Sequence, residues 1–141
     1  METMNTDMEL QLQAVDCLRY ANSYLSTLEK CLRKKISRFN NDLLYQFAII
    51  SFEKYFVALL SHYGRNASHH MPVSLYNEAL FFEKELPDTI RQTAILVGKF
   101  EGICSISDFG YSTPCTEELM EMLDGIKEIR LLVENRVYNC D

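Results

Sequence analysis

Proline and glycine are scarce in this chain of 141 residues: there are three prolines, at 72, 87 and 114, and five glycines, at 64, 98, 102, 110 and 125. With so few breakers there is no Gly-rich phosphate loop, no low-complexity run and no 20–50-residue repeat. The long stretches between them carry apolar residues at helical spacing, and no alternating strand pattern survives. Closely spaced cysteine pairs are also absent. Cys17, Cys31, Cys104, Cys115 and Cys140 are odd in number and scattered. They compose neither a disulfide framework nor a paired-cysteine zinc site, and reduced thiols are expected. No apolar stretch reaches the roughly 18–20 residues of a membrane span. The first residues, Met1-Glu2-Thr3-Met4-Asn5-Thr6-Asp7, lack the basic and apolar regions of a signal peptide. A cytoplasmic protein without a membrane contact is therefore expected.

What is present is a core's worth of apolar residues: 48% hydrophobic with 11% aromatic. That excludes a disordered chain, and the length fits one domain over 1–141, with 1–7 and 139–141 expected to fray. Asp7 is a candidate cap for a first helix in which Leu18, Ala21, Leu25, Leu28 and Leu32 form one stripe. Asn40-Asn41 marks a break and offers a cap for a second helix, Asp42 to Tyr63, which is apolar around most of its circumference and should lie at the centre. Gly64 should end it in a left-handed cap. Pro72 suits the first turn of a third helix, carrying Leu75, Tyr76, Ala79, Leu80, Phe82 and Leu86, which Pro87 should close. Asp88 should open a fourth, with Ile90, Ala94, Val97 and Ile103. After a loop from Ser105 to Pro114, Thr116 should cap a last helix with Glu117 and Glu118 in its first turn. The fold class expected is all-α: an antiparallel up-and-down bundle of four to five helices.

Net charge is −6, so contact with a polyanion needs a local patch. Lys30, Arg33, Lys34, Lys35 and Arg38 provide one, placing five of the fourteen basic residues at one end of the first helix. Lys34, Lys35 and Arg38 are the residues expected to contact an anion; the alternative is a solvated helix end. Arg65 and His70, with four residues between them, have the chemistry of a metal-independent ribonuclease: a guanidinium for the developing phosphorane and an imidazole to move a proton. The plainer reading is a polar loop in which His69 or His70 caps the third helix. His62, His69 and His70 show no metal-ligand spacing on a helix, so no metal and no cofactor is expected. Ser/His/Asp and Cys/His catalysis have no local signature. The aromatics of the second and third helices (Tyr55, Tyr63, Tyr76, Phe81, Phe82) exceed the needs of one side of a small core, which points to a dimer face.

The run from Leu44 to Leu60, then Gly64, then His69/His70, followed after two more helices by Ser107-Asp108-Phe109-Gly110 and Thr116-Glu117-Glu118, resembles the HEPN domain (higher eukaryotes and prokaryotes nucleotide-binding domain). The resemblance covers about residues 8–138. It implies a four- or five-helix bundle that often dimerises. It also implies a place beside a partner, frequently a minimal nucleotidyltransferase in a prokaryotic toxin–antitoxin or stress system, and a nucleotide or RNA as ligand. Ribonucleases of the family use an Arg and a His with four to six residues between them, near a late helix. Here that spacing occurs only at Arg65–His70, after the second helix, while Arg130 and Arg136 have no histidine following them. The implied member is of the binding type, not the catalytic type.

Overall fold

The computed structural model describes residues 2–34, 40–100 and 113–139, with side chains from residue 7 onward. Five helices are present and no strand among the described residues: α1 (Glu2–Lys34), α2 (Asn41–His62), α3 (Pro72–Leu80), α4 (Asp88–Gly98) and α5 (Thr116–Tyr138). The chain is an all-α bundle.

Cross-helix pairs give the directions. Along α1 and α2, Gln11 meets His62, Asn22 meets Tyr55 and Tyr24 meets Phe47, so the two run antiparallel. Asn22 meets Glu134 and Glu29 meets Lys127, so α5 also opposes α1. It follows that α2 and α5 are parallel, and their starts are tied by Asn41 Nδ2 donating to the Pro114 carbonyl at 2.9 Å. Thr89–Glu128 and Lys99–Glu118 set α4 antiparallel to α5.

α2 packs against α1, α5 and α3, the central position its sequence demanded. Phe52, Tyr55 and Phe56 are fully buried in it. Its circumference is less completely covered than its composition implies, since Leu43 is exposed and Phe47 only half-buried. At 22 residues α2 is long and apolar enough to cross a membrane, contrary to the expectation that no such stretch exists. In this bundle 56% of its apolar window is buried. Two of its polar residues, Ser51 and Ser61, are 0% exposed, the first returning its hydroxyl to the Ala48 carbonyl at 3.0 Å.

The helix ends follow local chemistry. The Asn40 side chain accepts from the Leu43 N–H at 2.9 Å. Gly64 has φ +80°; its N–H reaches the Ser61 carbonyl and that of Arg65 the Leu60 carbonyl, both at 2.9 Å, a complete Schellman ending. Pro72 opens α3 as expected. Three bounds differ from the sequence reading. Asp7 lies inside α1, because nothing between Glu2 and Asp7 breaks a helix. Cys115, not Thr116, caps α5: the Cys115 N–H donates to Glu118 Oε1 at 3.0 Å in a capping box, leaving Thr116 as the first helical residue. And α3 stops at Leu80, well before Pro87, because the N–H groups of Phe82 and Glu83 both turn back on the Ala79 carbonyl. That turn is what brings Glu83 to α5. Ile103 and the Asp108-Phe109-Gly110 turn lie outside the described residues.

Candidate functional site

Because Gly64 takes the left-handed conformation, the chain leaving α2 turns and brings Arg65, Ser68 and His69 against α3. There it meets Glu78, an acid on the inner stripe of α3 beside Leu75 and Ala79 and only 7% exposed. The Ser68 N–H donates to both carboxylate oxygens at 3.2 Å, His69 Nδ1 lies 3.0 Å from Oε1, and Arg65 Nε stands 3.9 Å from Oε2. Burial by itself raises the carboxyl's pKa. The His69 bond, the Ser68 N–H and the charge of Arg65 outweigh it and hold Glu78 below the usual carboxylate range. The group is thus a buried anion with fixed partners. Around it opens a cleft of about 260 Å³, whose wall includes Ser74, Asn77 and Phe81. With Nδ1 on Glu78, His69 turns its other ring nitrogen away from the carboxylate. A carboxylate-oriented imidazole next to a guanidinium can exchange a proton with, and steady the charge of, an anionic group placed in the cleft.

The structure therefore brings together Arg65 and His69. His70 is elsewhere: its Nδ1 lies 2.9 Å from Glu53 Oε2 on α2, and its side chain is 86% exposed. Neither histidine caps α3, whose cap is Met71 without a side-chain bond. Glu78 was missed by sequence reasoning, which followed the apolar positions of α3 and passed over the one acid standing among them. That intrusion into the buried stripe was the available signal.

Phe82 separates this cleft from a second network. The Arg65 guanidinium sits 5.9 Å from its ring centre, and the Tyr63 ring stacks on it at 5.2 Å. Tyr63 donates its hydroxyl to Glu83 Oε1 at 2.6 Å, and Arg136 of α5 grips the same carboxylate through Nε and, at 3.3 Å, through Nη2. Burial raises the Glu83 pKa, and the bonds from Arg136 and Tyr63 more than reverse that. His62 Nδ1 is buried beside this network without a hydrogen-bond partner among the described residues. Burial pushes the His62 pKa below 6.5, against the pull of Glu83 and with the push of Arg136, so the ring is neutral at neutral pH.

At the basic end of α1, Arg33 is drawn to Glu29 at 2.6 Å. Lys34 is exposed, with no ion pair among the described residues, while Lys35 and Arg38 lie outside them. Of the cysteines described, Cys17 is half-buried, Cys31 buried and Cys115 exposed, all free thiols. Among the described residues no three His, Cys, Asp or Glu side chains come together as a metal site. No protein-family model, no curated protein and no solved structure matches this chain.

Proposed function

We propose that the chain is a HEPN-like helical interaction module that self-associates and works beside a protein partner, of the kind represented by a minimal nucleotidyltransferase in a prokaryotic toxin–antitoxin or stress system, or beside a nucleotide-type ligand. The observation that carries the reading is an outer stripe that runs along α3 to its C-cap, Phe81. Val73, Asn77 and Phe81 follow one another at i, i+4 and i+8, and Phe81 is 78% exposed with Val73 at 40%. An aromatic so exposed, at the rim of an open cleft, has the character of an interface anchor. The polar groups beneath it are already engaged with one another. Light scattering across a range of concentrations tests the reading. A dimer that Val73→Ser/Phe81→Ser converts to a monomer supports it. A monodisperse monomer that captures no partner and no nucleotide at high concentration rejects it.

A second reading, metal-independent ribonuclease activity, began from Arg65 and His70. The convergence of Arg65 and His69 on Glu78 favours His69 over His70 as its proton-transfer group. RNA cleavage that disappears in His69→Ala and persists in His70→Ala supports this version. Cleavage unchanged in His69→Ala rejects it.

A further inference from the structure

A groove between α1 and α5 lies apart from everything above; α3 supplies nothing to it, and it does not rest on the association reading. Its volume is about 520 Å³. One side is a single stripe of α1 that begins at Arg19 and ends at Lys30. Eleven residues of helix at 1.5 Å each set the two cations about 16 Å apart. Between them the stripe carries the hydroxyls of Ser23, Ser26 and Thr27. Arg130 rises from α5 on the other side. The lining thus has three cations, no carboxylate and no apolar side chain, in a chain whose net charge is −6. Arg19 and Lys30 have no ion pair or hydrogen bond among the described residues. Of the flanking acids, Glu29 holds Lys127 and Arg33, Glu134 holds Arg130 Nε at 3.3 Å, and Asp16 stands exposed one turn before Arg19.

Arg130 is held from below. Tyr55, fully buried, donates its hydroxyl to Asn22 Oδ1 at 2.5 Å, and Asn22 Nδ2 donates to Glu134 Oε2 at 3.2 Å. Glu134 then takes the Nε edge of Arg130. This chain of contacts from the core fixes the guanidinium over the groove before any ligand arrives, which lowers the ordering cost of binding.

We infer that the α1–α5 groove binds a short chain of linked phosphates, with Arg19, Lys30 and Arg130 as its cationic contacts and the serine hydroxyls as donors between them. Cations spread along a line suit several linked phosphates rather than one, and guanidinium groups match phosphate oxygens in pairs. A lining without apolar or aromatic groups has nothing to anchor a peptide side chain or stack a base. Such a chain occurs free, as inorganic polyphosphate, or as the tail of a nucleoside triphosphate.

The test is titration calorimetry of the full chain with inorganic tripolyphosphate, ATP, AMP and a long oligoribonucleotide. Tripolyphosphate and ATP should bind, with AMP weaker by about tenfold or more. Arg19→Ala/Lys30→Ala should lose about tenfold or more in affinity for tripolyphosphate, while melting like the parent because both side chains are exposed. Lys30→Glu alone should lose at least as much as Lys30→Ala. Arg91→Ala, on α4 and beside Asp88, should bind as the parent does. ATP binding tighter than tripolyphosphate names the nucleotide as the source, and equal affinity names the free phosphate chain; either supports the site. Three results overturn it: no tripolyphosphate binding by the parent, an equal loss in Arg91→Ala, or binding confined to long oligoribonucleotides.

Discussion

Thr93 of α4 and Gly125 of α5 share one point of closest approach, where a β-carbon on Gly125 would stand 2.0 Å from the Thr93 hydroxyl oxygen and 2.7 Å from its methyl. Thr93 is 7% exposed and ties its hydroxyl to the Thr89 carbonyl at 3.0 Å, so it has little room to yield. Gly125→Ala gains about 1 kcal/mol of helix preference. Forcing the helices apart costs about 1–3 kcal/mol or more. A net loss in urea unfolding is expected, partly restored by Thr93→Ala in the same chain. A stabilised Gly125→Ala variant shows that the crossing yields readily to a methyl group.

Burial separates the phenylalanines of α2. Phe52 is 0% exposed and stacks on Phe56 at 4.7 Å, so Phe52→Ala should cost about 3–5 kcal/mol. Phe47, half-buried against Tyr24 at 6.3 Å, should cost clearly less. Equal losses in denaturant unfolding contradict a rotation of α2 that buries Phe52 more deeply than Phe47.

Acid should weaken the fold in two steps. The His62 pKa is depressed by burial, so as pH falls past about 6.5 the unfolded chain takes a proton that the folded chain refuses, and stability begins to drop. The Glu78 and Glu83 pKa values are also depressed, so their contribution is intact above about pH 4.3 and is lost below it. Urea midpoints from neutral pH downward should show both, and His62→Leu should remove only the first. A flat profile from pH 7.5 to about 5.5 contradicts a neutral His62 ring with its Nδ1 buried.

Arg136 is the partner that keeps Glu83 anionic in a site 8% exposed. Arg136→Met strands that charge with only the Tyr63 hydroxyl, and a loss of about 2–3 kcal/mol is expected. Glu83→Leu/Arg136→Met should lose less than Arg136→Met alone, because the charge is then gone as well. A double variant worse than the single one points instead to lost packing.

The fold was readable wherever local chemistry decides it. Leu18, Ala21, Leu25 and Leu28 at helical spacing, Asn40 before α2, Gly64 after it and Pro72 at the start of α3 all act through neighbours in sequence. The end of α3 was not readable, because the turn after Leu80 serves Glu83, whose partner Arg136 lies 53 residues away. The grouping of residues around the cleft was hidden for the same reason. Arg65 and His70 were paired by spacing, yet what selects among the loop's histidines is Glu78, a residue on another element. Similarly, the basic run at 30–38 showed Lys30, and the helical spacing of α1 sets Arg19 in line with it, but only the packing of α5 on α1 adds Arg130.

The register of α1 has one more consequence. Gln11 reaches the backbone of His62, the last residue of α2, so the turns before it continue past the end of their neighbour. Among the described residues Leu10 is the first with a buried side chain, while Met8 and Leu12 are each 61% exposed. One unbroken helix therefore has two kinds of stability along its length. Beyond Leu10 its amides open only when the bundle does; in the turns that overhang α2 they open independently of it. Deuterium should enter the first turns of α1 quickly and the rest slowly, with the change of rate falling inside the helix and not at either of its ends.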